Sequence, residues 1–266
     1  VIYANTYYFS PLIRRAKRGM IKVLDQQNVD HEYWETIYNG EKNIFKKLYF
    51  YQNLMKTRLY ERIAYRIYNI IISVSSHDRE ETYKIPGVKK VLVAPNGVDF
   101  NNYKERRGIE RIPNRILFTG SDTIKNAIAA KYFAKEVFPE VRKHNHDAEF
   151  IIAGRIKKSS IKTILDEEGI KYIGEVEDMI PEFLKSSILV APFKESSGTK
   201  IKILEAMSSG CAVVSTTEGA KGIEAHHLKN IIIADTTEEF SGSIIKLMKD
   251  DRFRERIAQS GRELAS

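Results

Sequence analysis

Apolar runs too short to be helices alternate along this chain with segments whose apolar residues recur every three or four positions. In the first third, residues 1–4, 20–25, 69–75 and 91–94 read as strands, and residues 11–18 read as a short basic helix stopped by Gly19. Residues 41–68 read as one long helix with Ile44, Leu48, Tyr51, Met55, Leu59, Ile63 and Ile67 on a single stripe. That stripe is expected to pack on the core while Lys42, Lys46, Lys47, Lys56, Arg58, Arg62 and Arg66 face water. Ser76 is expected to cap a short helix. The Pro95-Asn96-Gly97 turn marks a domain junction. Beyond it, strands at 115–119, 149–153, 171–173, 188–191, 211–215 and 230–234 alternate with helices at 126–144, 160–168, 180–185, after Thr199, at 237–249 and at 252–264. Such alternation predicts an α/β chain with a parallel, doubly wound sheet, divided as residues 1–95 and 96–266.

The 266 residues suffice for two modest domains, and 42% apolar residues is ordinary for a folded chain. A formal net charge of +8 favours an acidic partner: nucleotide phosphates, an anionic membrane surface or nucleic acid. No nucleic-acid motif accompanies the charge. The single cysteine, Cys211, excludes an internal disulfide and reads as a small buried hydrophobe, which fits a reducing compartment. No run has the length and apolarity of a membrane span.

The densest chemistry lies in residues 197–216. Ser197, Gly198 and Thr199 form a turn with a helix cap, Ile201, Leu204 and Met207 follow at helical spacing, and Gly210 ends the helix before an apolar strand. Lys200 and Lys202 stand in the first turn, where the helix dipole disfavours cations. Unsatisfied N–H groups, dipole and Lys200 together make a receptor for a phosphate or diphosphate. Glu205 lies roughly 9 Å further along the helix, a reach that suits a ribose attached to the diphosphate. The alternative is a solvated lysine face with Glu205 paired to one of its members. Gly219 and Gly222 make a turn after the next strand, where backbone N–H groups could approach a sugar. Asp25 ends a strand, the place where ligands collect in open α/β sheets, and Asn28, Asp30 and His31 follow it. His226 and His227 are adjacent but lack partners at ligand spacing, so no metal site is expected.

The run ending in Glu205-Ala206-Met207 and Gly210 resembles the signature of retaining glycosyltransferases of family 4, which have the two-domain GT-B fold and use nucleotide-activated sugars. The family pattern has a further Glu eight residues before Glu205, where this chain has Ser197. One branch carries Gly-Thr-Lys there, matched by Gly198, Thr199 and Lys200, and Glu195 is a substitute from the loop. Residues 93–99 resemble the family's interdomain segment, residues 117–121 its first C-domain strand and turn, and residues 172–176 its base-binding strand. The first half resembles the later part of the acceptor domain, which puts the start of that domain outside this sequence.

The resemblance implies two Rossmann-like parallel-sheet domains facing a cleft, the first of them incomplete. It implies transfer of a hexose from a nucleotide-diphosphate sugar to a glycan or lipid-linked acceptor with retention, without cofactor or metal. Lys200 and Glu205 would carry the chemistry. Gly120, Ser121, Lys125, Val176, Ser197, Gly198, Thr199 and Gly219 would join them around the donor, with Val176 at the nucleobase and Asn126 at the family's lysine position. Asp25 and His31 would lie on the acceptor side. No catalytic His transfers, since Tyr3 and Asn5 stand where the family often has one. The expected location is cytoplasmic, with the basic helix able to lie on the inner face of a membrane. A second expectation is a non-catalytic nucleotide- or polyanion-binding module derived from such an enzyme.

Overall fold

The computed structural model describes residues 1–266 apart from 18, 106–107 and 195–200, together with the side chains of 104 and 105. The chain divides into two compact units, with the boundary between Asn96 and Gly97.

The first unit holds a wholly parallel sheet, β1 (Ile2–Ala4), β2 (Lys22–Gln26), β3 (Ile70–Ser73) and β4 (Val91–Val93), in that spatial order. After β1 a 3-10 turn, Tyr7–Phe9, leads into α1 (Ser10–Arg14), which stops short of the expected residue 18. Before the predicted long helix stands α2 (Asp30–Gly40), in a stretch too polar to show an apolar period; the predicted helix itself is α3 (Ile44–Tyr65), three residues shorter at each end. Asn43 caps it by accepting N–H bonds from Phe45 at 3.0 Å and Lys46 at 3.2 Å. The last helix of the unit, α4 (Ser76–Tyr83), is capped by Ser75, one residue before the expected cap.

The α3 stripe is a correction to expectation. Ile44, Leu48, Tyr51, Leu59 and Ile63 are exposed, and Phe45 is 81% exposed. The buried residues of α3 are instead Leu54, Glu61, Ala64 and Tyr65, and the last two pack with Ala4, Tyr7, Leu24, Tyr68 and Ile71. Helix α3 also meets α2, in part through ring pairs, Trp34 with Phe50 and Tyr38 with Tyr51.

The second unit holds six parallel strands in the order β10-β9-β8-β5-β6-β7. They are β5 (Ile112–Thr119), β6 (Glu149–Ala153), β7 (Ile170–Gly174), β8 (Ser186–Ala191), β9 (Ala212–Ser215) and β10 (Ile232–Ile233). The crossings are α6 (Ile124–Tyr132) continued by α7 (Phe138–His144), α8 (Lys158–Ile161) with a 3-10 turn, α9 (Ile180–Lys185) and α10 (Ile201–Ser209), and after β10 come α11 (Thr237–Lys249) and α12 (Asp251–Ala265). A short α5 (Phe100–Glu105) precedes β5. Ile116, Leu117, Phe118, Phe150, Ile188, Leu189 and Val214 fill the core, and each is fully enclosed.

Helix α6 does not run straight into α7. Residues Phe133–Val137 form a π turn in which the Phe138 N–H reaches back five residues to the Phe133 carbonyl. Pro139 supplies the reason: its ring collides with the carbonyl four residues earlier in a regular helix, and the widened turn removes that collision.

The winding from β5 to β7 proceeds toward one edge and that from β8 to β10 toward the other. The strand order therefore reverses between β5 and β8, and in open α/β sheets the carboxyl ends at such a reversal border the ligand crevice.

Candidate functional site

At that reversal β5 ends in Phe118-Thr119 and continues through Gly120 and Ser121, while β8 ends in Ala191 and continues to Phe193. Thr123 caps α6 by accepting the Asn126 N–H, which fixes Asn126 in the first turn and buries it. Its amide donates to the Ser121 carbonyl at 2.9 Å and to the Ser121 hydroxyl at 3.3 Å. A Cβ on Gly120 would stand 2.8 Å from Asn126 Cγ, so this turn requires glycine for close approach.

Lys202, in the first turn of α10, extends to the same place. Its Nζ donates to the Thr119 carbonyl at 2.5 Å and to Asn126 Oδ1 at 3.1 Å, with the rings of Phe118 and Phe193 at 5.2 and 4.9 Å. The family pattern by count expects a cation at 126, and here an ammonium comes to Asn126 from another helix. The sequence shows Lys202 only as a first-turn cation, and Lys200, which it gives the charge at the phosphate, lies outside the described residues.

Glu205 lies one turn further along α10, half-buried and hydrogen-bonded by the Tyr103 hydroxyl of α5. Burial pushes its carboxyl above the usual range, and the charge of Lys202 and the Tyr103 bond pull it only part of the way back. Tyr103 is itself raised, first by burial and then by the charge of Glu205. Nothing in the spacing of the sequence pointed to Tyr103.

The remaining donor-side residues are placed as follows. Lys125, half-buried, lines a pocket of about 240 Å³ with Ile128, Ala129, Tyr132, Pro192, Phe193 and Lys194. Val176 is half-buried two residues beyond β7, two strands away from the reversal. Gly219 is buried after β9 and its N–H donates to Thr216 Oγ1 at 3.0 Å, so that N–H is spent within the fold and is not presented to a sugar. Its glycine is required by crowding, since a Cβ would lie 2.5 Å from the Ala191 carbonyl oxygen. Ser197, Gly198, Thr199 and Lys200, with Glu195, lie outside the described residues.

In the first unit Asp25 stands one residue before the end of β2 and accepts from the Tyr3 hydroxyl at 2.5 Å and from Gln27 at 2.9 Å. His31, in the first turn of α2, meets a fully buried carboxylate: Glu61 Oε2 lies 2.6 Å from Nδ1, and Oε1 accepts the His31 backbone N–H at 3.3 Å. Burial alone would lower the His31 pKa, but the bond to Glu61 and its charge outweigh burial and hold the imidazole above its ordinary value. Asp30 accepts from the Tyr7 and Tyr8 hydroxyls at 2.6 and 3.2 Å. Chain spacing gave no metal cluster, yet Glu32, His77 and Glu81 bring three ligand atoms within 4.8 Å of one another. They come from two helices, which spacing along one segment does not register.

The model of the family described as glycosyl transferases group 1 matches residues 113–250. The chain belongs to this family. It is 23% identical over 260 residues to an uncharacterized 44.6 kDa protein in the cps region of Klebsiella pneumoniae, an alignment covering 94% of this chain. The chain spans 65% of the length of that curated relative. HepE of Anabaena, solved in complex with UDP, superposes with a TM-score of 0.75 at 14% identity, covering 100% of this chain and 73% of that one. WaaG, a glycosyltransferase involved in lipopolysaccharide biosynthesis, superposes with a TM-score of 0.64 at 14% identity over 97% of this chain and 76% of its own. At such identities the likeness shows the fold, which is GT-B.

Proposed function

We propose that this chain is the major part of a retaining family 4 glycosyltransferase that moves a hexose from a nucleoside-diphosphate sugar to a glycan or lipid-linked acceptor. The observation that carries the reading is the Lys202 ammonium at the strand reversal, with Glu205 one helical turn behind it. Negative charge develops on the departing diphosphate, and a cation already oriented by Thr119 and Asn126 stabilises it without reorganising. A hydroxyl or carboxylate one turn further suits the ribose. In a retaining transfer of this kind the acceptor hydroxyl approaches on the side the leaving group vacates, and the leaving phosphate takes its proton, so no protein nucleophile is needed. Lys200, Gly198, Thr199 and Ser197 would complete the cradle, with Gly120, Ser121 and Lys125 at the diphosphate and Val176 at the base. Asp25 and His31 are the acceptor-side candidates. No cofactor enters this scheme.

The exposed apolar stripe of α3, interleaved with Lys46, Lys47, Lys56, Arg58 and Arg62, supports a peripheral place on an anionic membrane, where a lipid-linked acceptor would be met. Among the described residues no helix is long and apolar enough to cross a membrane.

UDP is the first probe, because HepE was solved with it. UDP at a hundred times its Kd should stabilise the protein by about 2.7 kcal/mol, and the double variant Lys202→Met with Glu205→Ala should lose that response. Sugar release from UDP-hexoses, followed by chromatography, tests turnover. Absence of a thermal response to UDP, GDP and ADP overturns the reading, and binding without turnover on any acceptor favours the non-catalytic module.

A further inference from the structure

Outside the strand reversal of the second unit, the described residues gather one mixed donor set of nitrogen and oxygen. His77 and Glu81 are four residues apart on α4 and so share one face of it. Glu32, from the first turn of α2, approaches that face, with its Oε1 2.8 Å from His77 Nε2. One ligand atom from each of the three lies within 4.8 Å of the others, and all three side chains are half-buried. The set occupies the carboxyl ends of β2 and β3, since α2 follows the first of these strands and α4 the second.

We infer that Glu32, His77 and Glu81 bind a divalent transition ion of the Zn²⁺ class that ties α2 to α4. An imidazole with two carboxylates is a donor set suited to such an ion, and three protein ligands leave a position open to water or to an oxygen of another ligand. Zinc distances of about 2.0–2.2 Å put ligands roughly 3.4 Å apart, so the Glu32–His77 pair at 2.8 Å opens slightly and gives up its hydrogen bond, and Glu81, within 4.8 Å, closes by about 1.4 Å at most. That closure is a matter of side-chain rotation in Glu81, the one member not already in contact with His77.

Two features oppose the ion and neither blocks it. The N-terminal end of α4 disfavours a cation, but two carboxylates face it there. Lys84 also pairs with Glu81, and its side chain is mostly exposed, so a divalent ion would displace a water-screened ammonium at little cost. Asp78 does not compete, since its carboxylate accepts from the Ser75 hydroxyl at 2.5 Å.

The inference stands independently of the sugar-transfer reading, and its test uses the metal alone. The purified chain is loaded with Zn²⁺, dialysed against metal-free buffer and assayed by elemental analysis, in parallel with His77→Ala, Glu81→Gln and, as a control on α2, Glu35→Gln. The expected result is about one retained equivalent in the wild type and in Glu35→Gln, with affinity tenfold or more weaker in the other two. Loading with Co²⁺ gives a readout on the wild type alone: visible absorption bands of a low-symmetry nitrogen and oxygen site. Zinc retained equally by His77→Ala, as would happen if His226 and His227 held it, overturns the inference. So does a wild type that retains none.

Discussion

The Lys202 ammonium and the Thr119 carbonyl are bound at 2.5 Å, joining the first turn of α10 to the end of β5. Replacing Lys202 by Met keeps the stem across Phe118 and Phe193 and removes the charge. Loss of a hydrogen bond to a charged group should cost the unliganded protein about 1.5–3 kcal/mol, measured by urea unfolding, and UDP should no longer raise the Tm. A variant that unfolds like the parent and still answers to UDP would remove Lys202 from the donor site.

Glu205 gives a pH signature. Its folded pKa is raised, so its contribution to stability is present below the unfolded carboxylate value and is lost as pH rises through the folded value. Glu205→Gln does not titrate; the Tm of the variant relative to wild type should therefore climb as pH goes from about 4 to 7. Tyr103→Phe deletes a bond that favours the carboxylate and should push the Glu205 transition still higher. A Tm difference that is flat with pH would show that Glu205 titrates normally.

His31 titrates with the same sign through a different cause. Its folded pKa lies above the ordinary histidine value because of Glu61, so the stabilisation is complete below about 6.5 and fades as pH rises through the raised value. In Glu61→Gln that decline should vanish, and the variant should be destabilised by about 3 kcal/mol at pH 6, since removing one partner leaves the other buried and unpaired. Imidazole NMR shifts of His31 against pH supply the direct check: an unchanged midpoint in Glu61→Gln would dissociate the pair.

Gly154 has φ +99°, and a Cβ there would lie 2.4 Å from the Gly120 carbonyl oxygen. Gly154→Ala should therefore cost more than the 1–3 kcal/mol or so of ordinary overpacking, because strain is added to collision. It should also weaken UDP binding by displacing the Gly120 turn. Gly242→Ala, at a position with open space, is the matching control and should be neutral or slightly stabilising. Equal thermal midpoints for the two variants would refute the argument.

Much of the second unit is legible in order of sequence. Residues 149–153, 180–185 and 237–249 fold over the lengths their apolar pattern predicts, because each is bounded by turn or cap residues such as Gly154, Pro181 and Thr236. The first unit is less so. Helix α2 is missed because it has no buried residue to set an apolar period. The α3 stripe misleads because periodicity identifies an apolar face without saying whether anything covers it. At the strand reversal, the place of Glu205 on α10 follows from the helical pattern, whereas the target of Lys202 lies 83 residues away in the chain and only the winding of the sheet brings them together.

The π turn at Phe133–Val137 takes up one residue more than a regular turn while α6 and α7 on either side keep their facing. Excising Lys135 would let regular winding resume without turning Asn126 from Ser121 or Phe138 from the interior, but it would bring back the collision of the Pro139 ring with the carbonyl four residues before it, roughly 3 kcal/mol in a helix interior. The wide turn is thus the relief for one proline.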